Sequence, residues 1–75
     1  MITKDKAIVN ALRAYYIGEI EKAKANVNIF LENSVGVGEH PDVLESITQL
    51  IEKIAQFEDN ISVLDKHFNP TLPKI

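Results

Sequence analysis

The chain of 75 residues has no cysteine and no tryptophan, one methionine, three glycines and three prolines. Without cysteine there is no disulfide framework and no thiolate chemistry. Aromatic residues make up 7% of the chain and basic residues number eight against eleven acids, for a net charge of −3. That balance argues against a nucleic-acid partner, because phosphate contacts need clustered Lys and Arg. The basic residues here are scattered, and most have an acid close by in sequence. No uncharged apolar run approaches the roughly 18 residues needed to span a bilayer. The opening residues Met1-Ile2-Thr3-Lys4-Asp5-Lys6 lack the apolar run and small-residue cleavage site of a secretory leader. The expectation is one soluble, cytoplasmic domain covering residues 1–75, with no membrane partner.

What is present is helical periodicity in two halves. From Val43 onward, Ile47, Leu50, Ile54, Phe57, Ile61, Leu64 and Phe68 follow at alternating steps of four and three. That is a heptad seam sustained over more than three repeats. Leu44 and Ile51 widen the stripe in its first half, where Glu58 and Asp65 take the same flank later. Pro41 suits the first helical position, and Asp42 and Glu45 the positive end of the helix dipole. Lys66 and His67 suit the other end, and Asn69-Pro70 stops the helix. A second helix over about 41–68 follows, then an extended tail over 69–75.

The first half is less regular. Thr3 is a candidate N-cap. Val9, Leu12, Tyr16, Ile20, Ala23, Val27 and Phe30 form a seam with one irregular step, four following four between Tyr16 and Ile20. Such a step locally relaxes a supercoil. The first helix is predicted over about 3–32, with Asn33 or Gly36 able to end it in a left-handed cap. Ala7, Ala11, Ala14, Gly18, Ala25 and Ile29 line another face. Either alanine serves there as a good surface helix former, or small residues seat a further helix. Gly18 is costly in mid-helix by about 1 kcal/mol relative to Ala, and a close contact or a bend would be a reason for it.

The fold class is therefore all-α: a two-helix antiparallel hairpin with a loop over about 33–40. A hairpin this thin leaves Tyr15, Ile29, Leu44 and Ile51 partly wet. The expected remedy is self-association, most simply a homodimer forming a four-helix bundle.

Candidate chemistry concentrates in the loop. Gly36, Gly38, Glu39, His40 and Asp42 sit where a glycine-rich turn meets a helix start, a setting that can bind anions. The third glycine of a dinucleotide fingerprint and the Lys-Ser/Thr of a phosphate loop are both missing. Glu39 and Asp42 would also repel an anion. Glu39, His40 and Asp42 offer metal-ligand atoms, but the only other histidine, His67, lies far along the second helix, and no Glu-x-x-His or His-Glu-x-x-His occurs. No cofactor and no metal are expected, and the loop is read first as a turn and second as an interaction loop. Ser34, Ser46 and Ser62 have no nucleophile elbow. Tyr15 and Tyr16 read as core and groove residues. One of Asn10, Asn26 and Asn28 could fix register by bonding across an interface. Glu19, Glu21, Lys22 and Lys24 read as a solvated face with local ion pairs. No catalytic group emerges.

The run Asn33-Ser34-Val35-Gly36-Val37-Gly38-Glu39-His40-Pro41-Asp42, followed by Ile47 and Ile54-Ala55, resembles a group of short helical proteins encoded by large tailed bacteriophages, including marine ones. The similarity centres on the loop and the start of the second helix. It implies a role inside an infected host cell and carries over no activity and no functional residue. The function expected is a non-catalytic interaction or regulatory module that binds itself and a host or phage protein. The alternatives are an assembly factor of a phage particle and a small-ligand or metal module at Gly36–Asp42.

Overall fold

The computed structural model describes residues 4–33 and 42–68, with side chains from Lys6 onward. Helix α1 runs over Lys4–Glu32 and helix α2 over Asp42–Phe68, and the two pack against each other. They lie antiparallel: the Lys6 ammonium near the start of α1 donates to the Phe68 carbonyl at the end of α2, 2.8 Å away. No strand occurs among the described residues. The Thr3 cap, the Gly36 cap, the Pro41 start, the Asn69-Pro70 stop and the tail lie outside the described residues.

The helix ends that are described follow local chemistry. The carbonyl of Ile29 accepts from both the Asn33 backbone N–H (3.0 Å) and the Asn33 side-chain amide (2.9 Å). The last turn of α1 thus closes at Asn33. Asp42 and Glu45 occupy the first turn of α2, and Lys66 and His67 its last, so both ends of α2 carry charge of the sign its dipole favours.

The α2 seam faces inward. Ile61 and Leu64 are buried and Val43, Ile47, Leu50, Ile54 and Phe57 are half-buried, while Phe68 at the helix end is exposed. The α1 seam needs correction. Leu12, expected inside, is 39% exposed, whereas its neighbour Arg13 is 2% exposed. With Arg13 in place of Leu12 the inward line becomes Val9, Arg13, Tyr16, Ile20, Ala23, Val27 and Phe30. Its steps are then four, three, four, three, four, three. The irregular step between Tyr16 and Ile20 disappears, and α1 has the same strict heptad as α2.

Gly18 does not interrupt α1 and has no close neighbour over it. The helix is continuous through it, and a Cβ built there meets nothing within 4 Å. The face that holds Ala7, Ala11, Ala14, Gly18, Ala25 and Ile29 is exposed throughout.

Candidate interaction surface

Arg13 is the polar residue of the seam. Its Nε donates to Asp65 Oδ1 at 2.9 Å and its Nη2 to Asp65 Oδ2 at 3.4 Å. The two side chains are 3% and 13% exposed. The guanidinium meets the carboxylate with two donors, the arrangement that best compensates the cost of burying both charges. No buried side-chain nitrogen or oxygen among the described residues lacks a partner. The pair ties residues 52 positions apart and therefore fixes how α2 slides along α1. One turn inward, Tyr16 and Phe57 face each other at 5.7 Å, with Tyr15 edge-on to Phe57 at 6.2 Å.

The flanks of the two seams define two sides of the hairpin. On one side a shallow groove is lined by Ile17, Glu21 and Lys24 from α1 and by Glu58, Ser62 and Asp65 from α2. On the other, Asn26 and Ile29 meet Ser46, Gln49 and Lys53. Heptad extension along that second side leads from Ile29 back to Tyr15, Leu12 and Ile8 on α1, and from Lys53 forward to Val63 on α2. These four residues are all exposed, at 39–57%. Leu31, Leu44 and Ile51 form a further apolar patch, on the first side and toward the loop end. Tyr15, Ile29, Leu44 and Ile51, expected to remain wet in a lone hairpin, are each at least half exposed.

Charge is absent from one stretch of this surface. Between Lys6 and Glu19 the only charged residue is Arg13, and Arg13 points inward to Asp65. The exposed residues of that stretch are Ala7, Ile8, Ala11, Leu12, Ala14, Tyr15 and Gly18. Among the described residues it is the longest run of helix with no charge at the surface. Beyond it the Glu19–Lys24 segment is charged, with Lys24 paired to Glu21 at 3.3 Å, the local pairing expected of that face.

Of the loop residues singled out from the sequence, Gly36, Gly38, Glu39 and His40 lie outside the described residues. Asp42 is exposed in the first turn of α2. No group of three or more His, Cys, Asp or Glu that could hold a metal occurs among the described residues. His67 sits at the far end of α2, edge-on to Phe68. Asn28 is exposed and Asn26 lines a groove. Asn10 is half-buried. Within the hairpin Arg13 ties the register of the two helices, and hydrophobicity alone does not place a charged residue in the seam. The signal was available: Arg13 restores the heptad that Leu12 breaks. Among the described residues no helix is long and apolar enough to cross a membrane.

No family model, curated protein or solved structure matches the chain.

Proposed function

We propose that the protein is a non-catalytic helical interaction module that self-associates. The carrying observation is the imbalance between core and surface. Among the described residues nine large apolar side chains are 39% exposed or more, while the buried apolar core consists of Ile20, Ala23, Ile61 and Leu64. Two helices cover one line of each other and leave the flanks wet, and a second pair of helices is the ordinary way to bury them. The polar inventory supports the non-catalytic side of the reading. Among the described residues the buried ionic pair leaves no buried side-chain nitrogen or oxygen without a partner, and its geometry suits holding register rather than proton transfer. The unit proposed is a homodimer of hairpins forming a four-helix bundle. The resemblance to tailed-phage proteins supplies the proposed setting, the cytoplasm of an infected cell, and a host or phage protein as a further partner.

Light scattering coupled to size-exclusion chromatography tests the central claim. The expected mass is twice 8.4 kDa at micromolar concentration and above. A mass of one chain persisting to millimolar concentration would refute self-association.

A further inference from the structure

The proposed self-association leaves open which of the two apolar patches a second copy covers. We infer that it is the uncharged face of α1 from Ala7 to Gly18, joined by Val63 of α2, and that a second copy of this chain docks there antiparallel across a twofold axis close to Ala11 and Leu12. The inference rests on the self-association reading and adds its location and symmetry.

Three observations carry it. The first is area. A compact 8.4 kDa protein exposes about 4,600 Å², and this chain exposes 5650 Å². The surplus of about 1,000 Å² is close to the roughly 800 Å² that each partner contributes to a standard interface. The molecule is elongated, 54 × 18 × 17 Å, so a partner laid along its length, rather than at an end, covers the most surface.

The second is charge. A twofold interface brings each residue near the axis close to its own copy. For a chain of net charge −3, any charged residue there would face its like. On the other patch, Leu44 and Ile51 are each followed directly by an acid, Glu45 and Glu52. The Ala7–Gly18 face has no charge at all, because Arg13 is withdrawn and neutralised by Asp65. An uncharged face likewise gives a charged partner nothing to recognise.

The third is shape. The exposed large residues Ile8, Leu12 and Tyr15 stand beside Ala7, Ala11, Ala14 and Gly18, and nothing in the chain itself occupies the space over Gly18. A row of small residues lets two helix axes approach to the lower end of the usual 8–10 Å range. In the antiparallel pairing Ala11 lies opposite the partner's Ala14, and Ala7 opposite the partner's Gly18. Small residues then meet small ones along about 18 Å of helix, while Ile8, Leu12 and Tyr15 of both copies close over one edge.

Ala11 decides the matter experimentally, since it is exposed and central to the face. In the full chain, Ala11→Glu should weaken the dimer by about a hundredfold or more in sedimentation equilibrium, because two carboxylates meet at the axis. Helix content by circular dichroism should stay unchanged. Ile51→Glu, on the other patch, should leave the dimer intact. The chain has no cysteine, so Ala11→Cys should form a disulfide-linked dimer on mild oxidation, and Ile51→Cys should not. If Ile51→Glu dissociates the dimer and Ala11→Glu does not, or Ile51→Cys alone crosslinks, this face is wrong while self-association stands. If the unmodified chain is a monomer, the self-association reading falls and this inference with it.

Discussion

Arg13 holds a seam position because Asp65 reaches it from the flank of α2 with both carboxylate oxygens. The two members are not equivalent. Arg13 is almost wholly enclosed, whereas Asp65 keeps a small contact with solvent. Removing the acid therefore strands a buried cation, and removing the cation leaves an acid that water can still reach. Asp65→Ala should cost about 3 kcal/mol, and Arg13→Leu less, about 1 kcal/mol, since leucine suits the seam and only the rim charge loses a partner. The double variant should regain part of the loss, with a coupling of about 1–3 kcal/mol. Urea unfolding of all four proteins at one concentration measures it, and additive losses would show that the pair contributes nothing. Gly18 is the opposite case. An added methyl meets nothing within 4 Å, and the backbone is already helical. Gly18→Ala should therefore raise stability by about 0.5–1 kcal/mol. A loss instead would reveal a contact at Gly18 closer than Ala7, Ala11 and Ala14 experience along the same row.

At the scale of elements, burial is uneven along the hairpin. Arg13, Ile20 and Ala23 on α1 and Ile61 and Leu64 on α2 are the buried residues among those described. On α2 they lie in the half away from the loop, and on α1 they are grouped about the middle of the helix. Leu64→Ala should cost about 2–4 kcal/mol, and Leu44→Ala, at a side chain 67% exposed, under about 0.5 kcal/mol. Equal losses in chemical denaturation would mean that Leu44 is covered in solution. Helix α2 was legible because its seam is made of large apolar residues at strict heptad spacing, and periodicity in hydrophobicity is what a sequence displays most directly. Helix α1 was legible as a helix but not in its facing. Its inward line contains an arginine, and reading by hydrophobicity alone moved one position to Leu12. The partner that makes Arg13 tolerable lies 52 residues away, beyond any local pattern. The contrast carries over to the surface. The wet flank residues were foreseeable by counting apolar positions outside the seams, whereas the uncharged character of the Ala7–Gly18 face becomes visible only once Arg13 is known to point inward. The loop chosen from its glycines and acids falls outside the described residues, apart from Asp42.

For the whole molecule, shape and charge set opposing terms for association. A rod with a radius of gyration of 16.1 Å, against about 11 Å for a compact chain of this length, gains apolar burial when a second copy lies along it. Two copies at −3 each also repel. The repulsion acts over the Debye length, about 30 Å at 0.01 M salt and about 8 Å at 0.15 M, while apolar burial at an uncharged face is nearly indifferent to salt in that range. Salt should therefore tighten the dimer, with a larger gain between 0.01 M and 0.15 M than above it. Mass action makes the consequence measurable, because association of folded hairpins stabilises them against unfolding and makes Tm rise with protein concentration. Thermal unfolding followed by circular dichroism at serial dilutions should show that rise, and at fixed protein concentration Tm should be higher in 0.15 M than in 0.01 M salt. In the Ala11→Glu variant the dependence on protein concentration should vanish. Tm independent of dilution in the unmodified chain would mean that the hairpin does not associate, and that the nine exposed large apolar residues among those described stay in water. A Tm that falls as salt is added would mean instead that opposite charges meet across the interface, which the Ala7–Gly18 face cannot supply.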